Sequence, residues 1–270
     1  MKTKAGKSPK ESADKSQRMP AIFVGHGSPM NAIEDNEFSR HWQQLGKSLP
    51  RPKAILCVSA HWETWGTLVT AMEQPRTIHD FGGFPPELYE KQYPAPGSPK
   101  IASRVIEIIG KEKVVADRIW GLDHGTWSVL CRMYPEADIP VVQLSLDRSI
   151  TPARHFELGQ KIRILRKEGI LILGSGNVVH NLAMMVWEDT AFEWAVEFDS
   201  KIKQHIIEDD LTPLIQYEKQ GRSAALSINS AEHYLPLLYT LGAKEKNEPI
   251  HFFNEKVWGG SLSMRCIRFG

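Results

Sequence analysis

Six apolar runs of strand length, at residues 21–25, 54–59, 67–72, 141–146, 170–174 and 224–228, alternate with stretches of helical spacing. This alternation narrows the fold more than any other feature. The helices carry their own start and stop signals. Phe38, Trp42 and Leu45 recur at helical intervals. Ser98 and Pro99 open a pattern that stops at Gly110, and Thr151 opens another that stops at Gly169. A hydroxyl cap, a proline in the first turn and a glycine after the last are what helix ends require. Continuous apolar strands between capped helices predict an α/β fold: a single domain with a central, largely parallel or mixed sheet flanked by helices. The tail alternates differently, with Gly259-Gly260 ahead of Leu262, Met264 and Cys266, and predicts a closing hairpin.

Residues 1–18 are basic and polar without an apolar segment, and they include Glu11 and Asp14. They are expected to form a disordered extension, neither signal nor transit peptide, ahead of a catalytic domain at 19–270. With 33 Lys+Arg against 32 Asp+Glu, the chain has no electrostatic footprint for nucleic acid or an anionic membrane. No apolar run approaches the roughly 18 residues of a membrane helix. Cys57, Cys131 and Cys266 are widely spaced without a CxxC pair. They read as buried free thiols in a reducing, cytoplasmic compartment.

Histidines recur just beyond apolar runs. His26 follows "AIFV", His61 follows "ILCVSA", His180 follows "GILILGSGNVV" and His233 follows "AALSINSAE". In an open α/β sheet, ligands bind beyond the carboxyl ends of the strands. A lone histidine there is more often a hydrogen-bonded structural residue, but four such positions beside small neighbours point to a shared site of metal ligands or acid–base groups. His124 in "LDHGTWSVL" opens a helix. His41, His155 and His205 have polar flanks and read as surface residues, His251 as structural, and His79 as a weak candidate to face the pocket. The "GSGNVV" stretch lacks the third glycine of a dinucleotide fingerprint, and the P-loop and G-x-S-x-G patterns are missing. Residues 74–99 pack prolines, glycines and the aromatics Phe81, Phe84, Tyr89 and Tyr93 into one long loop. It reads either as an ordered pocket wall or as a structural loop.

Six ordered motifs, "FVGHGSPMNA", "SAHWET", "HDFGGFPPELYEKQYPAPG", "LDHGTWSVL", "GSGNVVHNL" and "EHYLPLLYTLGA", resemble the class III extradiol ring-cleavage dioxygenases, in their DOPA 4,5-dioxygenase-like branch. The resemblance runs from about Met19 to Gly270. It implies an enzyme that opens a catechol ring, DOPA-like, with O2 at a mononuclear non-haem metal. His26 and His61 match metal-binding histidines, His180 the acid–base histidine, and His124 a histidine that orients substrate or oxygen. Where better-known members place a glutamate before the final helix, this chain has His233 preceded by Glu232. Adjacent helical residues point about 100° apart, so one of the two ligates, and His233 is the expected ligand. Phe81, Phe84 and Tyr89, with Tyr93, would wall the substrate.

Three neutral histidines suit zinc as well as iron. Fe(II) is expected for activity and Zn(II) in isolated protein, where His180 would complete a tetrahedron at rest. No organic cofactor is implied. Arg76 and Arg132 are candidates to clamp a substrate carboxylate. The rival readings are a zinc-dependent hydrolase or deacetylase and a non-catalytic zinc-binding protein.

Overall fold

The structure, a computed structural model, describes residues 18–270. The expected extension at 1–18 lies outside the described residues except for Arg18, whose guanidinium pairs with Glu248 at 2.8 Å. Six strands build the central sheet, in the spatial order Val141–Gln143, Ala54–Ser59, Ile170–Gly176, Ala21–Gly25, Cys266–Phe269, Ile250–Phe253. The first four run parallel and the last two pair antiparallel, so the sheet is mixed.

Successive residues of a strand point to opposite faces. Phe23, Leu56, Val58 and Ile172 therefore join the core beneath the helices Pro99–Ile109, Pro152–Ile162, Glu193–Ile207 and Leu235–Ala243. Ile22, Val24, Ile55 and Leu173 face the helices Glu37–Ser48 and His124–Met133. Burial on both faces is why the strands read as unbroken apolar runs.

Two of the three helix starts act as expected, whereas Thr151 makes no side-chain cap bond and the pattern it opens is an α-helix only over Pro152–Ile162, tightening to 3₁₀ turns over Arg163–Glu168 before Gly169. Asn36 and Ser39 close a capping box at the start of Glu37–Ser48, and Ser98 accepts from the Ile101 N–H at 3.2 Å. The tail closes the sheet: Ile250–Phe253 pairs with Cys266–Phe269, and Val257–Trp258 with Leu262–Ser263. All three cysteines are buried and unpaired.

One expected strand is a helix. Residues 224–227 fall within the helix Arg222–Ser227, and Ile228 caps it and makes an isolated bridge to His180. The run is rich in alanine and leucine, the best helix formers, and over so short a stretch periodicity does not separate a buried helix from a buried strand. Residues 67–72 do form a strand at Thr67–Thr70, but it pairs with Val114–Asp117 outside the central sheet.

The strand Ile170–Gly176 and the helix Leu235–Ala243 meet through glycine. A Cβ on Gly174 would lie 2.6 Å from the Pro236 carbonyl oxygen, and one on Gly176 would overlap the carbonyl oxygen of His233. "GSG" thus permits close approach of backbone. Gly176→Ala is expected to cost about 1–3 kcal/mol through backbone displacement, read as a lowered midpoint in urea unfolding. An unchanged midpoint would show that the helix yields freely.

Candidate metal centre

The sheet order sets Ala54–Ser59, Ile170–Gly176 and Ala21–Gly25 side by side, so their carboxyl ends deliver His61, His180 and His26 to one place. His233 arrives from the turn before Leu235–Ala243, fixed where its carbonyl accepts from the Asn177 N–H at 2.8 Å. His124 opens its helix behind the cap Asp123. Asp123 is fully buried and accepts from Ser59 Oγ and Gln143 Nε2, each at 2.6 Å.

The five histidines line one cavity of about 360 Å³, together with Asp80, Phe81 and Phe84. A larger cavity of about 680 Å³ shares Ser28, Trp187, Trp258 and Leu262 with it but holds none of the histidines. The rings of His26, His61 and His233 form a nearly equilateral triangle, with centroids 5.0, 5.1 and 5.3 Å apart. Their potential ligand atoms do not form one tight set. His26, His61 and His124 make one group, and His180, Glu232 and His233 another, with atoms inside each group within 4.8 Å of one another.

Hydrogen bonds distinguish the two nitrogens of each ring. Ser175 Oγ donates to the Gly125 carbonyl at 2.5 Å and lies 3.0 Å from His26 Nδ1. With its proton committed, the hydroxyl accepts from Nδ1–H, and the His26 lone pair is left on Nε2. His233 Nδ1 donates to Glu232 at 3.0 Å, while its Nε2 is buried without a partner. Glu232 therefore holds His233 from behind, through an adjacent side chain in a turn. His26 Nε2 and His61 Nε2 face each other at 3.1 Å. Two bare lone pairs at that distance repel, so the contact needs either a proton shared as N–H···N or a metal ion between the two nitrogens. Two nitrogens bound at about 2.0 Å around a tetrahedral ion stand about 3.3 Å apart. The donor set and the orphaned Nε2 of His233 thus fit a metal.

Burial supplies the right protonation. Burial, then the neighbouring imidazoles, hold His26 and His233 well below the usual histidine range. His61 is lowered to about 3 by burial and by His124, with Asp80 opposing. Burial lowers His180 to about 4 against the pull of Glu232. Neutral imidazoles are the form that ligates a metal or accepts a proton.

His180 stacks on His233 with centroids 3.4 Å apart and planes 5° from parallel. Lone pairs of parallel rings lie in parallel planes, so the two do not converge on one ion in this arrangement. Such placement argues against His180 as a ligand at rest and leaves its edge to the cavity.

Several expected neighbours sit elsewhere. Tyr89 packs against Phe81 at 5.2 Å and is 37 % exposed, backing the cavity wall instead of lining it. Tyr93 is buried beneath, donating to the Tyr134 carbonyl at 3.0 Å. His79 hydrogen-bonds the Lys91 carbonyl at 2.9 Å and ties the loop together. His155 is buried, not at the surface: its polar neighbours belong to the outer side of its helix, while its ring meets Tyr239 Oη at 3.1 Å. His205 is half-buried near Asp210, His41 is exposed, and His251 lies exposed on the edge strand. Arg76 and Arg132 bond to the backbone carbonyls of Trp120, Asn31 and Glu34, away from the cavity.

Sequence reasoning missed Asp80 and Ser175. Asp80 accepts from the His124 backbone N–H at 2.8 Å and from His124 Nδ1 at 2.9 Å, and its Oδ2 lies 3.4 Å from His61 Nδ1. Burial alone would raise its pKa, but the hydrogen bond and charge of His124 and the nearby His61 hold it below the usual range. A carboxylate set among the aromatics of the loop was the available signal.

Comparison with known proteins agrees with this geometry. The chain is 52% identical over 262 residues to 4,5-DOPA dioxygenase extradiol of Escherichia coli (strain K12), covering 94% of this chain and 96% of that one. It is 37% identical over 256 residues to 4,5-DOPA dioxygenase extradiol of Beta vulgaris, covering 92% and 95%. A crystal structure of an uncharacterized protein from Escherichia coli K12 matches with a TM-score of 0.82 at 48% identity, over 94% of this chain and 100% of that one. Residues 19–261 match the family model described as the catalytic LigB subunit of aromatic ring-opening dioxygenase. The chain belongs to that family and, with it, to the ring-opening oxidoreductases.

Proposed function

We propose that this extradiol dioxygenase acts on a DOPA-like catechol at a single ferrous ion held by His26, His61 and His233. The observation that carries the reading is the histidine triangle, which opens on a cavity also lined by His124, His180 and the apolar side chains of Phe81, Phe84, Trp258 and Leu262. Ferrous iron there supplies Lewis acidity toward the catechol hydroxyls and electron transfer between ring and dioxygen, whereas zinc supplies only the first.

Phe81, Phe84, Trp258 and Leu262 accept the flat faces of the ring and exclude water from it. Phe81 also stands edge-on to His124, with centroids 5.5 Å apart. His124, tied at Nδ1 to Asp80, turns Nε2 to the cavity and orients substrate or oxygen. His180, neutral at rest, takes a proton from a catechol hydroxyl and returns it as the ring opens. Both atoms of O2 end in the product, an open-chain semialdehyde acid. Three buried, unpaired thiols fit a reducing, cytoplasmic setting. Among the described residues no helix is long and apolar enough to cross a membrane.

The test is oxygen uptake by apo-protein reconstituted anaerobically with ferrous iron and mixed with a catechol panel that includes DOPA. A zinc-loaded sample is the control. Uptake with a yellow ring-opened product is expected with iron alone. No uptake with any catechol, in protein shown to hold iron, would overturn the reading in favour of a zinc hydrolase.

A further inference from the structure

Asp80 touches two histidines to which the proposed function gives different tasks. Its Oδ1 accepts from the backbone N–H of His124 at 2.8 Å. Its Oδ2 lies 2.9 Å from His124 Nδ1 and 3.4 Å from His61 Nδ1. An ionised carboxylate only accepts hydrogen bonds. His124 must therefore present an N–H at Nδ1. At 3.4 Å His61 makes no full hydrogen bond to Asp80, but the same negative charge favours an N–H over a lone pair at its Nδ1, and each ring then keeps its lone pair on Nε2. In His61 that Nε2 is the atom facing His26 Nε2 at 3.1 Å.

We propose that Asp80 is a positioning residue that imposes one tautomer on His61 and His124 together, and so readies the metal-binding nitrogen and the substrate-facing nitrogen with a single carboxylate. The inference rests on the assignment of His61 to the metal. It also gives the aromatic loop a second task. Asp80 immediately precedes Phe81, whose ring meets His124. The segment that walls the substrate therefore carries the group that sets the two tautomers. Displacing the loop would remove the wall and the shared acceptor at once.

The tautomer claim inverts the usual order of damage. Asp80→Asn nearly preserves shape. Its amide oxygen can keep the bond from the His124 backbone, but its amide nitrogen then donates toward Nδ1 of both rings. That forces the proton onto Nε2, the wrong tautomer for a ligand. Asp80→Ala leaves room for water, which accepts from Nδ1–H and leaves the tautomer in place. A residue that only held the loop would show the opposite ranking, with alanine worse than asparagine.

The experiment is competition for Zn(II) or Co(II) between each apo-protein and a chromophoric chelator, with imidazole nitrogen–proton NMR on the wild-type protein. We expect Asp80→Asn to bind metal about 10–100-fold more weakly than wild type, and more weakly than Asp80→Ala. His61 and His124 of the wild-type apo-protein should both carry the proton on Nδ1. Wild-type affinity in Asp80→Asn, greater damage in Asp80→Ala, or an Nε2 proton on either wild-type ring would overturn the inference. Should neither variant fold, the wild-type NMR alone decides. His61→Ala, measured alongside, separates the two levels. If it keeps full affinity, the ligand assignment fails. If it loses metal while Asp80→Asn does not, only the role of Asp80 fails.

Discussion

His180→Ala is expected to hold metal at the wild-type level and to open catechol about 10²–10⁴-fold more slowly. The expectation comes from orientation. The rings of His180 and His233 are 5° from parallel, so the His180 lone pairs run beside those of His233 and do not meet them at an ion. Removing the ring leaves His26 on Ser175 and His233 on Glu232, each still held at Nδ1. What disappears is a neutral base at the edge of the cavity, held neutral because burial lowers its pKa to about 4. Metal content by atomic emission and single-turnover kinetics on the same sample check both halves. Near wild-type turnover would remove the acid–base role. Metal loss would put His180 in the ligand set and the stacked geometry in error.

His61→Ala should behave in the opposite way. Metal content is expected to fall to a small fraction of wild type after dialysis, and ring opening with it by about 10³-fold or more, since a bound metal contributes several kcal/mol to the transition state. The 3.1 Å separation of His26 Nε2 and His61 Nε2 is close to the spacing of two nitrogens bound to one tetrahedral ion, which makes His61 a corner of the proposed site. His61 is mostly buried in the polar site and lies outside both apolar clusters, so its loss leaves the apolar core intact and the thermal midpoint of the apo-protein should hardly move. His124→Ala is the matching control. His124 shares a group of close ligand atoms with His26 and His61, but its Nδ1 is committed to Asp80. It should keep metal while binding catechol poorly. If His124→Ala loses metal and His61→Ala keeps it, the third corner of the triangle belongs to His124.

The sheet was legible because its strands are buried on both faces and so read as unbroken apolar runs. The helices Glu37–Ser48 and Pro99–Ile109 were legible because their caps are local in sequence. Residues 224–228 were not, because alanine and leucine serve a short buried helix as readily as a strand. Within the site, His26, His61 and His180 announced themselves by following strands. Ser175 and Asp80 did not, because their work is done on partners far along the chain: Ser175 meets His26, and Asp80 meets His124. His155 was misplaced for a related reason. Its sequence neighbours are polar, but the helix turns its ring inward against Tyr239.

The strand Ile170–Gly176 lies between its neighbours Ala54–Ser59 and Ala21–Gly25, and the turn bearing His233 is seated on it through Gly176. This arrangement has a consequence for the order of events in the life of the chain. During synthesis His26 and His61 emerge early, but the strand that separates and aligns them is made much later, and His233 later still. No chain that stops short of His233 can present the triangle. Pairing of such distant segments is also the slow part of folding. Capture of a metal by the three proposed ligands therefore waits until the chain has been made past His233.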